Sequence, residues 1–329
     1  MFADTLLAWY EENRRSLPWR GETDPYKIWV SEIILQQTRV QQGWDYYLRF
    51  IETFPDVETL ARAPEKQVLR LWQGLGYYSR ARNMHAAAQQ VMDLHKGQFP
   101  CQYEEIRRLK GIGDYTAAAI ASIAFGLPYP AVDGNVLRIC SRIFGVCEDI
   151  TLPATRRQIT DICQQHIPHD RPGDFNQACM EFGAVWCTPK NPKCEECPFR
   201  SQCYALKHNM VEMLPVKSNK ITKRERYFHY EFYIYNNSTI IEKRTGNDIW
   251  RNLYQFPMHE SVGPSYHGSP AKIMELKEIL THQVIHAFFY LKKLEKKPEL
   301  AGTQILVPLD QLHDYPMPKI MTQFFDNMS

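Results

Sequence analysis

Up to about Trp186 the apolar positions of this chain fall at helical spacing, and from Tyr227 onward they begin to alternate. The first segment, Ala3 to Asn13, predicts an amphipathic helix that ends at the basic pair Arg14-Arg15. Asp24-Pro25 is a helix start, with an aspartate cap and a proline at the first helical position, and the helix reads YKIWVSEIILQQTRV. Pro55 and Pro64 punctuate the helices that follow. A polar, arginine-rich segment from Tyr103 to Lys110 meets an alanine-rich run from Tyr115 to Phe125 across Gly111-Ile112-Gly113, which predicts two helices joined by a glycine hairpin. A turn containing Pro128 and Pro130 then delivers Asp133-Gly134-Asn135 to the head of a helix running to about Phe144. Two more helices are expected at Thr151 to Gln165 and Phe175 to Trp186.

Beyond a polar, basic linker at 206–226, which carries Lys217, Lys220, Lys223, Arg224 and Arg226, the reading changes. Strands are expected at Tyr227 to Tyr235, around Ile240-Ile241 and at Thr281 to Leu294, with helices at Ala271 to Ile279 and Lys319 to Asp326. The fold expected is a mainly α region over 1–205 and a small α/β domain over 227–329.

At 329 residues the chain is long enough for two domains that each bury a core. Acidic residues near the start and no long apolar run exclude a secretory signal or a membrane span there, so a cytoplasmic protein is expected. The formal net charge of +2 means that any nucleic-acid surface must be a local patch. Nine cysteines, four of them between Cys187 and Cys203, point to a metal site in a reducing compartment rather than to disulfides.

Three places carry chemistry. Glycines at 111 and 113 let backbone N–H groups converge at a helix start, and Arg107, Arg108 and Lys110 beside them make a nucleic-acid phosphate the natural anion. The plainer reading is that the glycines only close a hairpin and Asp133 only caps a helix. Glu32, flanked by Ile28, Trp29, Val30, Ile33, Ile34 and Leu35, either lies on a solvated stripe with Gln36 and Arg39 or is held in an apolar site with a raised pKa. Cys187-x6-Cys194-x2-Cys197-x5-Cys203 can hold a structural zinc or a [4Fe–4S] cluster, and only one of its pairs has the short zinc-knuckle spacing. The remaining cysteines, Cys101, Cys140, Cys147, Cys163 and Cys179, are expected to be buried free thiols, and no second metal site is expected.

LKGIGDYTAAAI followed by AVDGNV resembles the helix–hairpin–helix and Gly/Pro-rich loop with aspartate of the DNA glycosylases related to endonuclease III. Within that superfamily the chain resembles the adenine DNA glycosylases of the MutY type. The resemblance implies removal of adenine mispaired with 8-oxoguanine or guanine in double-stranded DNA, by a monomer. SEIILQQT matches the segment whose glutamate, here Glu32, is the catalytic acid and whose Gln37 and Thr38 meet the DNA. Asp133, with Asn135 beside it, matches the carboxylate that stabilises the sugar cation. Arg15 and the LPWR turn with Trp19 and Arg20 match the approach to the extruded base, and Gln177 a position lining its pocket. GLGYYSRARN matches the loop that inserts an aromatic ring, Tyr77, beside the lesion, with Gln37 probing from the same side.

The cysteine spacing resembles the endonuclease III-type [4Fe–4S] loop, with ligands Cys187, Cys194, Cys197 and Cys203, read as a structural and DNA-docking element. WRNLYQFP resembles the Nudix-like C-terminal domain of adenine glycosylases, lacking the acidic helix of true Nudix hydrolases, so that 227–329 should recognise 8-oxoguanine rather than hydrolyse. Thr281 and His282 fall where many relatives carry Ser-His contacting the lesion, and Leu280 replaces the usual Phe. Tyr115 stands where bifunctional relatives place a Schiff-base lysine, which implies hydrolysis without strand cleavage. The alternatives are a mismatch thymine glycosylase of the same superfamily and a non-catalytic DNA-binding iron–sulfur protein.

Overall fold

In the computed structural model, which describes residues 2–218, 222–264 and 272–328, the chain divides into two compact units. The first comprises residues 1–61 and 86–219, the second residues 62–85 and 220–329. The helices in chain order are α1 (Phe2–Asn13), α2 (Pro25–Leu35), α3 (Val40–Thr53), α4 (Val57–Arg62), α5 (Glu65–Leu71), α6 (Ser79–His95), α7 (Tyr103–Arg108), α8 (Asp114–Phe125), α9 (Gly134–Phe144), α10 (Pro153–His166), α11 (Pro172–Val185) and α12 (Tyr204–Lys207).

The first unit is helical, and its main core lies where α1, α9, α10 and α11 meet, around Trp9, Ile139, Ile159, Phe175 and Phe182. α2 starts as its sequence predicts, with the Asp24 carboxylate accepting from Tyr26 N at 2.9 Å and Pro25 in the first turn. Its residues from Ile28 to Ile34 are all buried, so the helix has no solvated face for Glu32 to occupy. The helix also ends at Leu35, before Gln36 and Arg39 can continue a polar stripe. The solvated reading of Glu32 is thereby corrected.

α7 and α8 form the glycine hairpin, closed by Gly111 at φ +77°. Gly113 is extended instead and stands as the cap residue of α8, with open space where a side chain would project. α8 and α9 each end on a left-handed glycine, Gly126 and Gly145.

The second unit holds two sheets. β1 (Arg224–Ile234) lies between β4 (Met258–Ser261), antiparallel to it, and β6 (Gln283–Lys293), parallel to it, and β5 (Lys272–Ile279) pairs antiparallel with β6. The other sheet runs in the order β3 (Tyr254–Gln255), β2 (Ser238–Lys243), β7 (Gln304–Pro308). Phe232, Phe256 and Phe289 pack with Phe324 of α13 (Lys319–Asp326) as an aromatic core, and the buried Phe228 packs on Tyr230 and Trp250.

Several expectations change here. The helix expected at 271–279 is strand β5 from Lys272, Ala271 lying outside the described residues. Met, Glu, Leu and Lys favour helix in isolation, but pairing with β6 puts Met274, Leu276 and Glu278 on one half-buried face and overrides that preference. The linker is shorter than 206–226. At its start Leu214 is buried and the Val216 carbonyl accepts from Ile150 N at 3.0 Å, and at its end β1 begins at Arg224. Lys220 lies outside the described residues. Arg226 is no linker cation. It is buried, and its guanidinium donates to both Glu260 and Asp248. Residues 62–85, expected within the first domain, belong to the second unit. Cys101 is exposed and Cys147 half-buried, so only Cys140, Cys163 and Cys179 are the buried thiols expected.

α11 closes on α9 at Gly183, where an added methyl group would stand 2.5 Å from Asn135 Cβ. Gly183→Ala is therefore expected to destabilise the protein by about 1–3 kcal/mol, read from urea denaturation. Unchanged stability would show that this approach is not tight.

Candidate active site

α2, α8, α9 and α11 converge on a cavity of about 410 Å³, lined among others by Arg15, Trp19, Arg20, Glu32, Gln37, Thr38, Tyr115, Asp133, Asn135 and Gln177. All of the residues expected at a catalytic or base-pocket position are therefore in one place, together with Gln37 and Thr38. Glu32 is 9% exposed, and the Tyr115 hydroxyl donates to its Oε2 at 2.7 Å. The same hydroxyl lies 2.9 Å from Met180 Sδ. Burial first, and the Asp133 charge second, push the Glu32 carboxyl up to about 7 against the opposing pull of Tyr115 and Arg20. The group is thus poised to hold a proton near neutrality and give it up.

Asp133 caps α9. Its carboxylate accepts from Asn135 N at 2.8 Å, Val136 N at 2.9 Å and Asn135 Nδ2 at 2.7 Å. Burial raises its pKa, while these donors and Arg138 favour the charged form. The cap reading of Asp133 and the site reading are both true of the same side chain. Asn135 is held in turn by Arg138, whose guanidinium donates to Asn135 Oδ1 at 2.9 Å, to the Gly183 carbonyl at 2.7 Å and to the Cys187 carbonyl at 2.9 Å.

The wall opposite is ionic. Glu181, missed in the sequence, accepts from Arg15 Nε at 2.5 Å and from Arg20 Nη2 at 2.9 Å. Trp19 packs on Trp44 and Tyr47 while also lining the cavity, so it is both core anchor and wall. Gln36, Met180 and Glu181 were not expected there. The only signal was a buried-helix carboxylate and amide spaced four apart, Gln177 and Glu181.

The other expected residues stand elsewhere. Gly111 and Gly113 are on the α7–α8 hairpin, outside the cavity lining. Arg107 there is committed to an ion pair with Asp114, so it is not the free phosphate cation that the sequence suggested, whereas Arg108 and Lys110 are exposed. Gln37, at φ +60°, and Tyr77, at φ +46°, both occupy the left-handed region that costs a side-chain-bearing residue about 1–2 kcal/mol.

Tyr77 and Thr281, more than 200 residues apart, meet in the second unit, hydroxyl to hydroxyl. They line a cleft of about 480 Å³ with His282, Trp250 and Lys319. His286 lies on the neighbouring strand β6. It stacks on Tyr227 and pairs with Glu225 at 2.5 Å.

Cys187, Cys194, Cys197 and Cys203 surround a cavity with Arg142 and Phe182. Four thiols around one space suit the ligation of an iron–sulfur cluster. Burial and the neighbouring thiols push Cys197 up to about 11, a cost that thiolate ligation to iron removes. Arg142 donates to Cys187 Sγ at 3.5 Å, a bond that steadies a sulfur ligand. The residues fit an iron–sulfur group.

A family model described as HhH-GPD superfamily base excision DNA repair protein matches residues 30–165, and one described as the iron–sulfur binding domain of endonuclease III matches residues 187–203. An adenine DNA glycosylase of Buchnera aphidicola subsp. Schizaphis graminum is 36% identical over 78% of this chain and 74% of its own. The chain belongs to the adenine DNA glycosylase family. The human adenine DNA glycosylase is 41% identical over 65% of this chain and 41% of its own. Among solved structures, a thermostable thymine-DNA glycosylase is 28% identical with a TM-score of 0.58, covering 63% of this chain and 95% of its own. An endonuclease III trapped on DNA, 22% identical with a TM-score of 0.55 over 63% of this chain and 95% of its own, shares the fold.

The family makes this chain a base excision repair DNA glycosylase that acts on DNA and hydrolyses N-glycosyl bonds, with a [4Fe–4S] cluster in the 187–203 loop. It combines the helix–hairpin–helix glycosylase fold with the Nudix-like α/β domain. Among the described residues no helix is long and apolar enough to cross a membrane.

Because Glu32 binds its proton more tightly folded than unfolded, its carboxylate opposes folding above about pH 7, and that penalty fades as pH falls toward 4.5. Glu32→Gln is therefore expected to raise stability by roughly 1–3 kcal/mol at pH 8 and to have little effect at pH 4.5. Thermal melts at the two pH values check this, and equal effects at both would contradict the buried, raised carboxyl.

Proposed function

We propose that this protein removes adenine mispaired with 8-oxoguanine or guanine from double-stranded DNA, by hydrolysis without strand cleavage, as a monomer in the cytoplasm. The observation that carries the reading is the buried Glu32 carboxyl under the Tyr115 hydroxyl, in one cavity with the capped carboxylate of Asp133.

Adenine is a poor leaving group, because its departing nitrogen gathers negative charge while the sugar becomes cationic. Two carboxyl groups of opposite protonation meet both needs. Glu32, held near neutrality by burial, donates its proton to N7 of the base. Asp133, whose N–H donors favour its charged form against burial, faces the developing oxocarbenium ion and stabilises it, directly or through a transient covalent adduct. Tyr115 keeps Glu32 in position, and as a phenol in place of an amine it forms no Schiff base, so the sugar–phosphate strand stays whole.

The adenine reaches the cavity only after leaving the duplex, at a cost of a few kcal/mol, roughly, which is lowest for a mispair. Backbone donors at Gly111 and Gly113, Gln37 and Thr38, and the basic cluster loop offset that cost through contacts to the DNA. In the second unit Tyr77, Thr281 and His282 recognise the 8-oxoguanine partner. The Thr281 hydroxyl meets that of Tyr77 there, and Leu280 stands in place of an aromatic ring.

Single-turnover reactions on a duplex with adenine opposite 8-oxoguanine test the reading, sampled with and without alkali and beside a thymine–guanine control. Adenine release with strand breaks only after alkali is expected, and Glu32→Gln should bind the duplex as before but lose release by roughly 10²–10⁴-fold or more. Release of thymine instead of adenine, or a Glu32→Gln protein that retains its rate, would overturn it.

A further inference from the structure

The cavity's hydrogen-bonding character is set partly by a side chain outside its lining. Gln177 stands in the wall, and its amide oxygen accepts two hydrogen bonds, from the Tyr10 hydroxyl at 2.9 Å and from Arg20 Nη1 at 2.5 Å. A guanidinium nitrogen only donates, so the amide atom facing Arg20 is the oxygen and the orientation of the amide follows from chemistry. Its Nε2, with two N–H donors, makes no hydrogen bond among the described residues. That nitrogen is left for whatever fills the cavity.

Tyr10 reaches this arrangement from behind. It is 1% exposed and takes no part in lining the cavity. Its hydroxyl holds the Gln177 oxygen while its ring face lies 5.4 Å from the Arg20 guanidinium, which Glu181 holds from the other side. One buried side chain therefore bonds the amide oxygen and lies against that oxygen's other donor. Without the hydroxyl, one of the two bonds that hold the amide oxygen is gone, leaving Arg20 alone to set which end of the amide is free.

We infer that Tyr10 is a positioning residue for base selectivity: it keeps Gln177 presenting N–H donors, so that the pocket favours a purine with a lone pair on the ring nitrogen it meets. This rests on the adenine-excision reading. Glu32 supplies a second donor, since Tyr115 occupies its Oε2 and the other oxygen is left to carry the proton. With Glu32 taken up by N7, the donor from α11 is left for the six-membered ring, whose N1 and N3 both bear lone pairs in adenine. A base with C–H or N–H at the position Gln177 meets leaves a buried donor unpaired, and a site built on such a hydrogen bond discriminates strongly against it.

Single-turnover release of adenine, 1-deazaadenine and 3-deazaadenine, each opposite 8-oxoguanine, tests this. The wild-type protein should lose roughly tenfold or more on one of the two deaza bases relative to the other. In Tyr10→Phe, which removes a single oxygen, that penalty should shrink to about two- or threefold, with duplex affinity unchanged. A purely structural role would lower all three rates by one factor and leave their ratios alone. Gln177→Met should erase the penalty, and adding Tyr10→Phe to it should change the ratios no further.

A folded Tyr10→Phe protein that keeps the wild-type ratios would overturn the inference, as would a Gln177→Met protein that keeps them if Tyr10→Phe fails to fold. Adenine release by the wild type with no deaza penalty at either position would overturn the inference and leave the adenine reading standing. No adenine release at all would overturn both.

Discussion

Glu32 sits between apolar neighbours on a helix with no solvated face, where ionisation is opposed by desolvation and by the Asp133 charge and is aided by the Tyr115 hydroxyl and the more distant Arg20. Much of the first unit follows from keeping that carboxyl dry and still addressable. α2 has to be buried around it, α8 has to begin one residue before Tyr115 so that the phenol reaches it, and α9 has to begin at Asp133. The glycine hairpin and the proline-containing turn set where α8 and α9 start. Two carboxyl groups share one cavity, one packed among apolar side chains and the other capped by backbone N–H groups, so their environments differ.

The arrangement is held from two directions. On one side the Arg15–Glu181–Arg20 ion pairs and Gln177 tie α11 to the segment that follows α1. On the other, Arg138 links Asn135, beside Asp133, to the carbonyl of Cys187, the first of the four cluster cysteines. α9 thus carries Asp133 at its head and, through Arg138 and Arg142, hydrogen bonds to the cluster loop. The cluster loop is thereby tied to the same helix that places Asp133 in the cavity.

What could be read in the sequence was local. Asp24-Pro25, the two hairpin glycines, the spacing of four cysteines and the boundaries of α13 are fixed by neighbours in the chain, and each stands where its residues indicate. Glu32 was legible as a charge in an apolar run, with its burial decided only when α2 proved to lack a wet face. Glu181 and Tyr10 were not legible. Their partners lie 166 and 167 residues away, and nothing in a helix's own periodicity tells a paired inward carboxylate from an outward one. The same holds for Arg226, a base in a basic stretch that turns inward to two acids, and for β5, whose helix-forming residues yield to the neighbouring strand. Tyr77 and Thr281 were each singled out, but only folding shows that one hydroxyl meets the other.

The dependence of the single-turnover rate of adenine release on pH addresses the buried carboxyl most directly. A rate that falls as pH rises through about 7, with the fall displaced to higher pH in Tyr115→Phe because the donor favouring the charged form is gone, is the expected result. A rate that stays level from pH 6 to 9, or a fall that Tyr115→Phe leaves in place, would contradict a proton held by Glu32 as the origin of catalysis.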